Sequence, residues 1–258
     1  MAHAQILMLG DCTLATSYLP PRFTNDMRLA EALARVYPTD STTIINEGLD
    51  GEAVAGLLRR YERTMARHPA PDYLLIRYGV NDRRSDGVEG FRRRLRELVE
   101  RLMGDFPQAG VLLETGMYVD YPTHYLWDRN AVVQPIYDVI RDLGATLGLP
   151  VVDLYERMKR ETERGNWDLR VRGYGVVDDH VPVLGAGQDH LHGHDVRWFT
   201  NIHPNPNGID VIADEEARVF KAHWPDGLGS VGIAQNRRED EKGLPTRASF
   251  CMLSSKQY

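Results

Sequence analysis

Short apolar runs alternate with longer amphipathic segments along most of this chain, and this alternation limits its fold more than any other feature. Five apolar runs have the length and composition of buried β-strands. They cover residues 5–9, 42–46, 73–78, 110–115 and 150–154. Elsewhere, apolar residues recur at the spacing of one helix face. The predicted helices cover residues 26–36, 52–67, 90–103, 130–147 and 208–224.

Strands that alternate with helices in this way predict an α/β fold. Each crossover between parallel strands returns right-handed over the sheet, so helices cover both faces. We therefore predict a flavodoxin-like, doubly wound sheet of about five parallel strands. Residues 1–226 are assigned to one domain, in which residues 159–195 lack periodicity and are predicted to be a polar insertion beside the site. Residues 227–258 are predicted to form a flexible C-terminal tail.

Composition and charge exclude several kinds of partner. Asp and Glu number 37 against 31 Lys and Arg, and the net charge of −6 is spread along the chain, which argues against nucleic-acid binding. The apolar stretch at residues 6–9 is too short for a signal peptide or a membrane span, so no membrane association is expected. The two cysteines, Cys12 and Cys251, lie far apart, so no disulfide framework is indicated and a cytoplasmic location is predicted.

Four short blocks carry residues suited to catalysis, and three of them directly follow predicted strands. These three are Gly-Asp-Cys at 10–12, Asn-Glu-Gly at 46–48 and Gly-Val-Asn-Asp at 79–82. The carboxyl ends of parallel strands form the rim where ligands bind in open α/β sheets. The fourth block, at 201–205, precedes the last helix and can bring His203 to the same rim. The pattern predicts that a nucleophile, a base and hydrogen-bond donors converge there.

The order and spacing of these blocks resemble those of the SGNH hydrolases, also called GDSL-type esterases, over residues 6–220. The resemblance implies the SGNH hydrolase fold, with a nucleophile at Cys12 and a general base at His203. It also implies an oxyanion hole made by the amides of Cys12 and Gly48 and by the Asn81 side chain.

The sequence departs from the family pattern at two positions. Cys12 stands where the family has its nucleophilic Ser, and a thiol beside a helix N-terminus is expected to have a lowered pKa. Thr200 stands where the family has the Asp that orients the catalytic His. A thiol depends less on that carboxylate than a hydroxyl does. Thr200, Asn201 or Asp195 is therefore predicted to orient His203.

These features predict a Cys-dependent, SGNH-like enzyme that transfers an acyl group through a covalent acyl-Cys12 intermediate. The acceptor is water in a hydrolase and a second substrate in an acyltransferase. The expected substrate is a small-molecule ester or an acyl thioester, including acyl groups bound to a carrier protein or coenzyme A. This chemistry needs no cofactor, and none is predicted. Asp11 and Asp82 are expected to hold loops by accepting backbone hydrogen bonds.

Several alternatives stay open. Aromatic residues after the fourth strand are expected either to line a substrate pocket or to pack on the following helix. They are Tyr118, Tyr125 and Trp127. A degenerate SGNH-fold protein that binds a carbohydrate or an acylated small molecule without turnover would carry the same sequence, as would an engineered Ser-to-Cys change. A metal-dependent hydrolase is a further alternative, because His190, His192 and His194 alternate beside carboxylates.

Overall fold

Five parallel strands form the centre of the fold. The computed structural model describes residues 2–85, 87–118, 129–164, 203–204 and 206–230. The strands are β1 (His3–Gly10), β2 (Ser41–Asn46), β3 (Tyr73–Arg77), β4 (Gly110–Glu114) and β5 (Val151–Val152). They lie in the order β2-β1-β3-β4-β5, and all neighbouring pairs are parallel. The predicted fold class is confirmed.

Helices cover both faces of this sheet. They are α1 (Cys12–Ala15), α2 (Asn25–Val36), α3 (Val54–Met65), α4 (Asp82–Ser85), α5 (Gly87–Asp105), α6 (Arg129–Leu147), α7 (Leu154–Glu163) and α8 (Pro206–His223). Helices α2 and α8 pack on one face, and α3, α5 and α6 pack on the other. In β1, Ile6 and Met8 enter the first core, whereas Leu7 and Leu9 enter the second. Burial on both faces explains why β1 is a continuous apolar run.

The predicted strands and long helices agree with the structure to within a few residues at each end. Helix α7 is a correction, because the sequence predicts an irregular segment from residue 159 onward whereas residues 159–163 are helical. Glu161 is buried on α7 and pairs with Arg157 at 3.2 Å. A carboxylate thus occupies a position on the buried face of α7 where an apolar residue would be expected. The spacing of the apolar residues alone therefore does not reveal the helix.

Residues 227–230 pack onto the domain, although the sequence predicts that the tail begins at residue 227. Leu228 is buried, its amide donates to Asp40 Oδ2 at 3.0 Å, and its carbonyl accepts from the Tyr73 hydroxyl at 2.6 Å. Packing therefore extends to residue 230, and residues 231–258 lie outside the described part of the chain. In the described ranges, no helix combines the length and the apolar character that crossing a bilayer requires. The cytoplasmic location stays a prediction.

Candidate active site

Cys12 lies at the carboxyl end of β1, where the chain turns sharply into α1. Asp11 caps this short helix, because its Oδ1 accepts from the Thr13 amide at 2.9 Å and from the Thr13 hydroxyl at 2.8 Å. The loop-holding role predicted for Asp11 is confirmed. As the first residue of α1, Cys12 also has an amide N–H with no acceptor inside the helix.

Two amide groups from neighbouring strand ends reach the Cys12 sulfur. The backbone amide of Gly51 and the side-chain amide of Asn81 both lie close enough to the sulfur to lower the pKa of the thiol. Asn81 Nδ2 also donates to the Glu52 carbonyl at 3.0 Å. A side-chain amide has two N–H groups, so one can hold the loop while the other serves the site. Asp82 fixes the same region, because its Oδ1 accepts from the Val54 amide at 2.9 Å, in the role predicted for it.

The backbone amide that lowers the pKa of the Cys12 thiol is that of Gly51, and the oxyanion role predicted for Gly48 stays a prediction. Both glycines lie in the loop between β2 and α3 (residues 47–53), which we call the β2–α3 loop. The Gly48 amide instead donates to Asn46 Oδ1 at 3.0 Å. Gly51 is the third residue of a turn closed by a 3.1 Å bond from the Glu52 amide to the Leu49 carbonyl, and its φ of +73° favours glycine.

His203 is buried and lies shortly before α8 begins. Its ring meets the Tyr18 ring edge-on, with 5.2 Å between the centroids, and the Tyr18 hydroxyl donates to the Pro204 carbonyl at 2.9 Å. Burial raises the pKa of Tyr18, and the nearby Cys12 sulfur raises it further. Tyr18 is therefore a neighbour of both Cys12 and His203. Sequence analysis missed it because an aromatic residue six positions beyond Cys12 carries no recognisable signal.

The thiol of Cys12 is held in its neutral form. Burial raises the pKa of Cys12 to about 12, and the nearby Asp11 carboxylate also raises it. The amides of Gly51 and Asn81 lower the pKa by less than burial raises it. The expectation of a lowered pKa is therefore wrong, because the few amides of a four-residue helix do not offset the loss of water around the sulfur.

A buried polar network lies directly beneath α1. Arg77, on β3, donates to the Thr13 carbonyl at 3.0 Å, to Glu114 Oε2 at 2.8 Å and to Glu216 Oε1 at 2.6 Å. Asn25 Nδ2 donates to the same Glu216 carboxyl group at 3.0 Å. The network thus ties the segment after Cys12 to α8, the helix that follows His203.

Several predicted site residues lie outside the described part of the chain. They are the His-orienting candidates Asp195, Thr200 and Asn201, the aromatic residues Tyr125 and Trp127, and the cluster of His190, His192 and His194. Tyr118 is described, and its ring packs edge-on against Tyr155 with 5.5 Å between centroids. Its contact with substrate stays a prediction. Within the described residues, no group of His, Cys, Asp and Glu is arranged to hold a metal ion.

Known proteins resemble this chain in sequence pattern and in fold. Residues 8–211 match the model of the GDSL-like lipase/acylhydrolase family. No curated protein matches the sequence significantly. Among solved structures, the fold is similar to LAE5, described as an α/β-hydrolase enzyme from the metagenome of Lake Arreo, Spain, with a TM-score of 0.61, 19% identity, and coverage of 84% of this chain and 94% of that one.

Two further structures show the same likeness of fold. The acetylxylan esterase Axe2 from Geobacillus stearothermophilus has a TM-score of 0.59 and 18% identity, over 84% of this chain and 93% of that one. The lipase/acylhydrolase from Enterococcus faecalis has a TM-score of 0.59 and 20% identity, over 85% and 96% of the two chains. The family model spans most of the chain, including Cys12, the β2–α3 loop, Asn81 and His203. The protein therefore belongs to the GDSL-like lipase/acylhydrolase family of esterase-type hydrolases.

Proposed function

We propose that this protein is a Cys-dependent acyl-transferring enzyme that acts on an ester or a thioester through a covalent acyl-Cys12 intermediate. The observation that carries the proposal is that the Gly51 amide and the Asn81 side chain both lie close enough to the Cys12 sulfur to lower the pKa of its thiol. When that sulfur attacks a carbonyl carbon, the developing oxyanion lies beside it. Donors already placed there can stabilise the oxyanion without rearrangement, and removing one typically costs about 10² to 10³ in turnover.

The proposed reaction has two covalent steps. The Cys12 sulfur forms a bond to the acyl carbon while its proton passes to the His203 imidazole, and the carbonyl oxygen becomes an oxyanion. The oxyanion accepts hydrogen bonds from the amides of Cys12 and Gly51 and from Asn81. When it collapses, the bond to the leaving alcohol or thiol breaks, and the imidazolium protonates that group. Water or another acceptor then attacks the acyl-Cys12 with His203 as its base, the bond between the acyl carbon and the sulfur breaks, and the imidazolium returns a proton to Cys12.

The raised pKa of the Cys12 thiol favours one version of this mechanism. A resting thiolate–imidazolium pair is disfavoured when the pKa of the thiol is about 12. His203 therefore takes the proton during the attack, as a general base. Even a thiol with this pKa is more acidic than the serine hydroxyl that the family uses at the same position. The departure at position 12 therefore does not demand a stronger base.

Acetyl esters are the first donors to test, since an acetylxylan esterase shares the fold. Acyl thioesters are the second set, because a thiol exchanges acyl groups with thioesters. A comparison of simple thioesters, acyl-coenzyme A and an acylated carrier protein distinguishes recognition of the acyl group from recognition of its carrier.

Intact-protein mass spectrometry after incubation with these donors tests the proposal. We expect a mass increment of one acyl group that is absent in Cys12→Ala and forms more slowly in His203→Ala. Cys12→Ser restores the family's nucleophile and is expected to hydrolyse the same ester. An increment that persists in Cys12→Ala, or no increment with any activated donor, would contradict the proposal.

A binding protein without turnover is the second candidate, and the buried, neutral thiol of Cys12 is the observation that favours it. Such a protein would bind an acetylated oligosaccharide or an acylated small molecule equally well as wild type and as Cys12→Ala. Calorimetry with both proteins, combined with the absence of any acyl adduct, would support this alternative. A covalent adduct at Cys12 would remove it.

A further inference from the structure

We infer that Arg60 is a positioning residue for the proposed acyl transfer, because its guanidinium holds both ends of the loop that presents the Gly51 amide to Cys12. This inference rests on the proposed function for its catalytic consequence. Its structural part, that Arg60 fixes the β2–α3 loop, stands on contacts within the described residues.

One guanidinium binds a residue on each side of Gly51 in the β2–α3 loop. Arg60 Nε and Nη2 each donate to one carboxylate oxygen of Glu52 at 2.7 Å, which is a bidentate pair. The same Nη2 donates to the Glu47 carbonyl at 2.9 Å. Glu47 opens the loop and Glu52 follows Gly51 directly. Arg60 therefore fixes Glu47 and Glu52 relative to each other, on the two sides of Gly51.

Glu52 connects this clamp to two of the proposed oxyanion donors, Gly51 and Asn81. Its amide closes the turn that contains Gly51, and its carbonyl accepts one N–H of Asn81. Its carboxylate also accepts from the Tyr78 hydroxyl at 2.7 Å. A movement of Glu52 would thus displace the Gly51 amide and the Asn81 side chain together.

The clamp is shielded from water. The Arg60 side chain is 11% exposed and that of Glu52 is 8% exposed. Pairing with Glu52 raises the pKa of Arg60. A bidentate, partly buried pair keeps a fixed geometry better than an exposed surface pair, which typically contributes only about 0–1 kcal/mol.

Gly56 gives independent support for this arrangement. It lies on α3, one turn beyond Glu52, where alanine would favour the helix. A Cβ at this position would lie 2.6 Å from Glu52 Cγ and 2.9 Å from Glu52 Oε1. The absence of a side chain at Gly56 therefore leaves the space that the Glu52 carboxylate needs to reach Arg60.

The test compares two reactions of the same thiol. Acylation by an activated acetyl ester passes through an oxyanion, whereas alkylation by iodoacetamide displaces iodide and forms none. Arg60→Lys keeps the positive charge but loses the planar guanidinium that makes the bidentate pair with Glu52. We expect it to lower the acylation rate by about 10-fold to 10²-fold, the usual cost of a small misplacement, with alkylation close to wild type. Gly56→Ala is expected to do the same with Arg60 intact.

Arg59→Lys is the matched control, since Arg59 is the exposed neighbour on the same helix and is expected to leave both rates unchanged. The inference is overturned if Arg60→Lys acylates like wild type. It is also overturned if acylation and alkylation fall together, because that pattern indicates general damage to the site.

Hydrogen exchange separates this inference from the proposed function. We expect the amides of the β2–α3 loop to exchange faster in Arg60→Lys and Gly56→Ala, with β1 and β3 unchanged. If wild type forms no acyl adduct, the proposed function fails and loop exchange alone decides the role of Arg60. Unchanged exchange in both variants would then refute the clamp.

Discussion

At the scale of single residues, Cys12 combines the position of a nucleophile with surroundings that keep its proton in place. Burial and the Asp11 carboxylate disfavour the thiolate, while the Gly51 and Asn81 amides favour it less strongly. The amides therefore do little to ionise the resting thiol, and their larger effect is expected on the oxyanion of the proposed reaction. Slow alkylation of Cys12 consequently does not distinguish an enzyme from a binding protein.

The pKa of Cys12 predicts how its alkylation depends on pH. The thiolate reacts, and with a pKa of about 12 only about 10⁻⁴ of the thiol is ionised at pH 8, against about a quarter of an ordinary thiol. We expect iodoacetamide to modify native Cys12 roughly 10³ times more slowly than the denatured chain, with a rate that rises about tenfold per pH unit up to pH 10. Peptide mapping that separates Cys12 from Cys251 gives the rate. A plateau below pH 9 would show that the thiol ionises more readily.

At the scale of structural elements, two glycines that lie three positions apart in the β2–α3 loop have different surroundings. Gly51 has a positive φ and open space where a Cβ would lie, so Gly51→Ala strains only the turn, at about 1–2 kcal/mol. A Cβ on Gly48 would lie 2.8 Å from the Ala15 amide nitrogen, so Gly48→Ala must move the backbone of α1.

These contacts predict that one alanine variant mainly loses acylation rate and the other mainly loses stability. Gly51→Ala is expected to lose a modest amount of stability and about 10²-fold in acylation, because the turn presents its amide to the oxyanion. Gly48→Ala is expected to be the less stable variant in urea unfolding. A Gly51→Ala protein that acylates at the wild-type rate would show that this amide is not an oxyanion donor.

The elements also show which features of the fold and site could not be predicted from the sequence. Periodicity was sufficient for β1 to β4 and for the long helices, because their buried faces are apolar. It missed α7, whose buried face includes Glu161. The sequence could not show which of Gly48 and Gly51 has its amide near the thiol. That depends on which of the two amides is already hydrogen-bonded to Asn46. Nothing in the sequence indicated a positioning role for Arg60, since an arginine on an amphipathic helix is usually solvated.

At the scale of the whole molecule, a single buried cation connects elements that are distant in sequence. Arg77 bonds to carboxylates on β4 and α8 and to a carbonyl of α1. Two carboxylates face one guanidinium, and burial raises the pKa of Glu216 well above its ordinary value, helped by the negative charge of Glu114. A proton on Glu216 also gives Glu114 a hydrogen-bond donor. The network is therefore close to neutral, with Arg77 and Glu114 as its ion pair.

This assignment predicts contrasting effects of two substitutions. Arg77→Met leaves a buried carboxylate uncompensated and is expected to cost about 3–5 kcal/mol of the free energy of unfolding. Glu216→Gln keeps the shape and a donor of the protonated acid. Because the pKa of Glu216 is raised in the folded state, its contribution to wild-type stability should fall as the pH rises above the ordinary Glu value, since only the unfolded chain loses this proton.

Glu216→Gln removes that proton and its linkage to folding. We expect the variant to match wild type near pH 4.5 and to become progressively more stable than wild type as the pH rises towards 8, because all other titrating groups are shared. Urea unfolding of both proteins across this range measures the difference. A constant difference across this range would mean that the pKa of Glu216 is not raised in the folded state. A variant less stable than wild type by the same amount at every pH would mean that Glu216 is the ionised partner of Arg77.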